Sequence, residues 1–216
     1  MDGRAALLLL CGRVAARDVD TVDFKRFVRD VVSDERSAYY YPRLLEKVRD
    51  RPAELSTGDC FYLYYGGVFQ PGLPMLAITA PGRTEFNRAV QAGNCRKVLR
   101  LGARLLERNP TTLNVLLHMA VCIRDNQIPD TEFAYGQRFR NLLEAILSTG
   151  DGRSMPTAIR IADMEDDHVI KGVLGFLGGK ESLGFDGDHA YSICEKDGQK
   201  LYFEDLFEVK PYPSAD

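Results

Sequence analysis

Four arginines recur at intervals of four residues in one segment of the chain: Arg96, Arg100, Arg104 and Arg108. This spacing places them along one side of an α-helix, where like charges repel each other by a few tenths of a kcal/mol per pair. An anionic surface would relieve that repulsion. We therefore predict that this arginine stripe, as we call the four residues, binds an anionic partner. Contact with acidic groups of the same chain and simple solvation are the alternatives.

The same-chain alternative has a basis in the charge distribution. Residues 1–110 carry 18 basic and 13 acidic side chains, whereas residues 111–216 carry 10 and 18. The C-terminal half is therefore acidic enough to receive the stripe.

Tyrosine is concentrated in two short clusters. One is Tyr39–Tyr41, and the other contains Tyr62, Tyr64 and Tyr65. Tyrosine suits interfaces that are apolar at one end and wet at the other. The rings either pack two helices against each other or form an aromatic patch that contacts a peptide or a glycan. The residues assigned to that patch are Tyr39, Tyr40, Tyr64 and Tyr65.

The sequence contains no recognisable catalytic or metal-binding constellation. Its histidines, His118, His168 and His189, share no helix face at the spacing of metal ligands, and its five cysteines form no CxxC pair. An acidic cluster around residues 163–167 is typical of a solvated helix start, and cation binding is the alternative. We therefore predict no catalytic residue, no metal site and no cofactor.

Two loops resemble ligand-binding motifs and fail the detailed match. The segment 175–181 looks like a phosphate loop, but Leu174 stands where the first glycine is required and Glu181 where a serine or threonine should hold magnesium. The segment beginning at Asp186 starts like a calcium loop and lacks the central glycine and the final glutamate.

The cysteines are predicted to be mostly unpaired. Cys60 and Cys122 lie in apolar helical patterns, which are typical of core thiols. The alternative is pairing among the four cysteines beyond Cys11 in an oxidising compartment.

The N-terminus resembles a short export signal. An apolar run from Ala5 to Cys11 is followed by Val14, Ala15 and Ala16, whose small residues suit cleavage after Ala16. We predict a signal peptide over residues 1–16 and an exported protein that is periplasmic, outer-membrane-associated or extracellular. A buried first helix is the alternative.

Composition restricts the classes of partner. The 216 residues are 45% hydrophobic and 27% charged, with a formal net charge of −3. Such a balance lacks the basic excess that displaces counterions from nucleic acid, so we predict no nucleic-acid partner. Because no apolar run approaches about 20 residues, we also predict no transmembrane segment.

Residues 17–150 are predicted to be helical. Apolar residues recur at helical spacing from Val19 to Val32, Pro42 can open a second helix, and Ser56 can cap a third. Four further helices are predicted over residues 84–91, 94–108, 112–124 and 130–148. These last helices form hairpins that resemble tetratricopeptide repeats, although fewer than three repeats are visible.

Residues 151–216 have the pattern of a small antiparallel sheet with one helix. About three strands are predicted, at 157–162, 189–195 and 200–207, with a tight turn at Asp197-Gly198 between the last two and a helix within 166–176. The expected fold class is α+β, mainly α. Both parts are assigned to a single domain spanning residues 17–216.

Three longer motifs resemble a known family. They are YYYPRL at 39–44, LYYGGVFQP at 63–71 and AILSTGDG at 145–152. Their order and spacing resemble the domain of unknown function numbered forty-nine nineteen, from Bacteroides-type bacteria, over most of the chain from about residue 20. The resemblance implies an envelope or exported context and no known activity. Where family members often continue with another tyrosine-proline stretch, this chain has GLPM at 72–75.

Taken together, these patterns favour an exported bacterial envelope protein that acts as a non-catalytic protein- or peptide-interaction module. The alternative from another class is a small envelope hydrolase. Its site would lie between the helical body and the C-terminal sheet, where His189 or His168 would have to meet a cysteine or a carboxylate.

Overall fold

The computed structural model describes residues 21–70, 81–131, 133–187 and 189–206. The predicted export signal over residues 1–16 and most of the irregular connection that begins at Gln70 lie outside these described residues.

Within the described residues the chain forms eight α-helices. They are α1 (Thr21–Ser33), α2 (Tyr41–Asp50), α3 (Thr57–Gly67), α4 (Arg83–Gln91), α5 (Cys95–Arg108), α6 (Leu113–Asp125), α7 (Tyr135–Leu147) and α8 (Asp166–Leu174). Each corresponds to a predicted helix. Among the described residues, none of these helices is long and apolar enough to span a membrane.

The helix starts follow from their capping residues. At α3, Ser56 accepts the N–H of Asp59 while the Asp59 carboxylate accepts the N–H of Ser56, a capping box that satisfies two orphan donors. At α7 the helix begins five residues later than predicted. Asp130 lies before that helix and accepts the N–H groups of Tyr135 and Gly136 from outside it, so it acts as a remote cap.

The helices α4 to α7 pack in sequence order, each against the next, and α7 also packs against α3. The approach of α5 to α6 is close because Gly102 has no side chain. A Cβ at that position would collide with Met119 of α6. Val98 and Leu105 of the same helix are buried. The pairing matches the predicted hairpins, while their likeness to tetratricopeptide repeats stays a prediction.

The cysteine prediction was partly wrong. Cys95 and Cys122 form a disulfide with their Cα atoms 5.4 Å apart. Cys95 begins α5 and Cys122 lies near the end of α6, so the turn between these two helices brings the cysteines together. Neither residue's local pattern reveals that pairing. Cys60 is a buried free thiol as predicted, and burial raises its pKa to about 12.

The C-terminal part forms a four-stranded mixed sheet. Its strands are β1 (Ile159–Ile161), β2 (Lys180–Asp186), β3 (His189–Lys196) and β4 (Gln199–Asp205), in the order β1-β4-β3-β2. The predicted sheet was antiparallel with about three strands. Instead β1 pairs in parallel with β4, and β2 was not predicted.

Two features of β2 explain why this strand was not predicted from the sequence. It is an edge strand that is exposed along nearly its whole length, so its residues do not show the alternation of a half-buried strand. Gly184, next to the centre of the strand, also lowers its strand propensity. By contrast, the predicted turn at Asp197-Gly198 is confirmed: both residues have positive φ, 51° and 74°, as a tight hairpin requires.

One cluster of buried side chains contains residues of both parts of the chain. It includes Phe86 and Leu142 of the helices. It also includes Ile159, Ile161 and Phe203 of the sheet. The sheet therefore covers the helical body rather than standing apart from it. The fold is α+β and mainly α, which confirms the predicted class.

We expect the disulfide to stabilise the helical hairpin. Replacing both partners, Cys95→Ser with Cys122→Ser, should lower the free energy of unfolding by about 3 kcal/mol, because the open chain regains the entropy of a loop of this size. Urea denaturation measures the change. Reductant should destabilise the native chain and have no further effect on the double variant. Equal stabilities in the two proteins would contradict the expectation.

Candidate functional site

The arginine stripe lies on the outer side of α5. All four of its residues are exposed, whereas Val98, Leu101, Leu105 and Leu106 on the opposite side are buried against the neighbouring helices. The N-cap of the helix is Asn94, whose side chain accepts the N–H of Lys97. Its first residue is Cys95, so the disulfide anchors the end of α5 beside Arg96. The stripe is thus displayed on a fixed helix.

Few acidic groups neutralise the stripe within the described part of the chain. Arg108 donates to the backbone oxygen of Pro81 at 3.4 Å, and the adjacent Lys97 is 3.9 Å from Glu85. Arg96, Arg100 and Arg104 form no ion pair with the described residues. The acidic C-terminal half, over those of its residues that the structure describes, does not dock onto the stripe.

The aromatic patch does not form one exposed surface. Tyr39 and Tyr40 are half-buried, and Tyr39 stacks on Tyr62 with ring centroids 4.3 Å apart. Tyr64 and Tyr65 are only 4% and 1% exposed. The four rings therefore differ in exposure and do not share one surface. Tyr64 and Tyr65 are too deeply buried to contact a partner in this conformation. Among the predicted patch residues, Tyr39 and Tyr40 have some accessible surface.

An open groove of about 580 Å³ lies beside Tyr39, between the start of α2 and the start of α3. Its basic side chains are engaged by neighbours. Arg43 donates to the backbone oxygens of Ser37 and Glu35, and Lys47 lies 2.7 Å from Asp59. The groove is therefore a polar surface depression whose cations already have partners.

Tyr64 and Tyr65 instead join the helical body to the sheet. The Tyr64 hydroxyl donates to Asp166 at 2.6 Å and accepts the N–H of Ala162 at 2.9 Å. The Tyr65 hydroxyl donates to the backbone oxygen of Arg160 at 2.8 Å. Two adjacent residues of α3 thus reach strand β1 and the first residue of α8. Both buried hydroxyls are therefore hydrogen-bonded, as buried polar groups in native proteins nearly always are.

Carboxyl groups surround this contact. Asp166 is buried, and Glu165 forms an ion pair with Arg83, itself a buried residue of α4. Burial, reinforced by the neighbouring Asp163 carboxylate, raises the pKa of Asp166 well above its ordinary value. Burial also raises the pKa of Asp163 and of Glu165. The sequence showed this acidic cluster, but its assignment as a solvated helix start was wrong for Asp166, because α3 covers it.

A second polar contact lies on the sheet. His189 Nδ1 is 2.7 Å from one oxygen of Glu204, and Arg160 is 2.9 Å from the other. This histidine does meet a carboxylate, as the hydrolase alternative requires. However, Ser192 and Cys194 alternate with His189 along β3 and point to the opposite face. His189 could therefore act as a base in this contact, but neither Ser192 nor Cys194 of β3 lies on the same face to act as its nucleophile.

The other candidate residues are not brought together. His168 is exposed, and His118 is half-buried beside Phe86 with the ring centroids 6.2 Å apart. Burial lowers the pKa of His118, with a further effect from Arg83. Across the described residues, no three histidine, cysteine or carboxylate side chains are grouped so that they could hold a metal ion.

The buried carboxyl group makes stability depend on pH. Because the folded pKa of Asp166 is raised, the unfolded chain loses this proton first as the pH rises above about 4, and the folded state is then disfavoured. Asp166→Asn cannot ionise and its amide oxygen still accepts from Tyr64. We expect the variant to gain stability relative to wild type between pH 4 and pH 7, by about 1.4 kcal/mol per unit of pKa shift.

Chemical denaturation at several pH values measures this difference. Asp151→Asn is the control, since hydrogen bonds from Thr157 and from the Arg153 backbone lower the pKa of Asp151. That variant should show no such gain as the pH rises. A constant difference between Asp166→Asn and wild type would contradict the buried, protonated state.

Comparison with known proteins identifies the chain's family. The model of the domain of unknown function DUF4919 matches residues 26–207, which is most of the chain. No curated protein and no solved structure matches it. The matched range begins within α1 and includes the other helices, the tyrosine contacts of α3 and the C-terminal sheet. The chain belongs to the DUF4919 family.

Proposed function

We propose that this chain is an exported, non-catalytic protein- or peptide-interaction module of the bacterial envelope, and that its arginine stripe binds an acidic segment of the partner. The observation that carries the proposal is the exposure of all four arginines on one helix. Guanidinium groups form bidentate hydrogen bonds with carboxylates, so such a row matches a peptide or protein surface rich in Asp and Glu.

The disulfide supports both halves of this proposal. It joins α5 to α6 at the end of the stripe and reduces the motion of the helix that presents the arginines. Disulfides also persist in secreted and periplasmic proteins and are rare in reducing compartments. A Cys95–Cys122 bond therefore favours export, in agreement with the apolar N-terminal run.

The stripe can be tested by charge reversal. Arg100→Glu with Arg104→Glu should strongly reduce the capture of host envelope proteins by the immobilised chain, because attraction becomes repulsion. The capture by wild type should weaken as salt is added. Since the changed side chains are exposed, the free energy of unfolding should stay within about 0.5 kcal/mol of wild type.

A matched control separates the stripe from overall charge. Arg26→Glu with Arg29→Glu makes the same change in net charge on α1, where both side chains are more than half exposed. This control should capture the same proteins as wild type. Equal capture by the stripe variant and wild type would refute the proposed site.

The hydrolase alternative is favoured by one observation, the contact between His189 and Glu204. If this pair activates water, the native protein should hydrolyse model esters or peptides, and His189→Asn should abolish the activity. Asn keeps much of the ring's polarity but cannot act as a general base at neutral pH. Activity that survives His189→Asn, or no activity in either protein, would remove this alternative.

A further inference from the structure

The strand β2 forms an open edge of the sheet. It pairs with β3 on one side, and no other strand of the described residues pairs with it on the other side. Its apolar residues are unusually accessible: Leu183 is 72% exposed and Phe185 is 58% exposed. Soluble proteins usually protect such an edge with a bulge, a proline or a central lysine. Over its seven residues β2 has no proline and no lysine beyond its first position.

The hydrogen-bonding residues alternate along each strand of the sheet. This alternation shows which residues of β2 direct their backbone N–H and C=O groups outward, away from β3. The tight turn at Asp197-Gly198 makes Lys196 and Gln199 the hydrogen-bonded closing pair of β3 and β4. Even-numbered residues of β3 therefore bond to β4, and odd-numbered residues bond to β2. Through the observed register, the residues of β2 that bond to β3 are Lys180, Ser182, Gly184 and Asp186. The residues whose N–H and C=O groups point outward are Glu181, Leu183 and Phe185.

We propose that this edge binds a second copy of the same chain, with the two β2 strands antiparallel and Leu183 on the two-fold axis. In this register Leu183 faces its own copy as a hydrogen-bonded pair, and Glu181 faces the second copy's Phe185. All three outward-pointing residues are then hydrogen-bonded. Two Leu183 side chains meet at the centre of the new interface.

Charge complementarity favours the second copy over an unrelated peptide. In the same register Lys180 lies opposite the second copy's Asp186, and the two-fold axis repeats this pair at the other end of the strand. Directly opposed residues of antiparallel strands have Cβ atoms about 4.5–5.5 Å apart, within reach of an ion pair. Both side chains are exposed and form no ion pair with the described residues of their own chain. The edge is therefore complementary to itself.

The side of β2 that faces its own chain is held in place. Lys171 of α8 is buried and contacts Glu181 of β2 at 2.6 Å and Asp167 at 3.0 Å. The outer edge of the strand is thus presented on a fixed element. Because one pair of short strands buries less surface than a stable dimer does, the dimer should be of the weak class and should form at about 100 µM protein.

Charge reversal tests the register. Lys180→Asp places two acidic groups opposite each other at both ends of the interface, and Asp186→Lys does the same with two basic groups. Each variant alone should dimerise about tenfold more weakly than wild type in sedimentation velocity. An equimolar mixture of the two variants should dimerise again, because every pair across the interface is then opposite in charge. The weaker dimerisation of each single variant, combined with recovery in the mixture, requires Lys180 to lie opposite Asp186.

Two further variants complete the test. Leu183→Pro removes an outward N–H without removing a bond to β3, and it should make the chain monomeric with its thermal unfolding transition preserved. Arg26→Asp makes the same charge change as Lys180→Asp at an exposed site on α1 and should dimerise like wild type. A wild-type chain that is monomeric at about 100 µM, or a mixture that stays monomeric, would overturn the proposal.

Discussion

The hydroxyl of Tyr64 is the contact on which the arrangement of the molecule depends. It lies at a buried position where α3, the residue after β1 and the start of α8 meet, and it bonds to both Ala162 and Asp166. Together with the neighbouring bond from Tyr65 to Arg160, it adds directed hydrogen bonds to a contact that is otherwise mostly apolar. The raised pKa of Asp166 follows from the same burial.

Charged side chains near this junction and on the sheet form ion pairs with one another. Arg83 contacts Glu165, and Arg160 and His189 share Glu204. By contrast, the arginines of α5 face solvent without ion pairs to the described residues. Charge that is neutralised inside a fold stabilises or positions its elements, whereas charge left on a fixed surface is available to a partner. This difference is why the proposed function rests on α5.

Much of the fold could be predicted from sequence because local signals determine it. Capping residues such as Ser56 and Asn94, helical periodicity and the Asp197-Gly198 turn act over a few residues. What could not be predicted depends on distant contacts. The pairing of Cys95 with Cys122 requires the helical hairpin, and the burial of Tyr64 requires the sheet. Tyr64 and Tyr65, half of the predicted aromatic patch, are buried by such distant contacts. The clustering of tyrosines in the sequence therefore did not predict which rings are exposed.

The parallel pairing of β1 with β4 has a consequence for folding. Ile159 and Ile161 precede α8, β2 and β3 along the chain, yet they pair with a strand that follows all three. Closing such a long loop costs entropy before the pairing returns any energy, so this step should be slow compared with formation of the helical hairpins. During synthesis, the backbone groups of β1 that bond to β4 stay unpaired until β4 arrives. That interval is when an unfolded chain of this kind is most exposed to aggregation and to proteases.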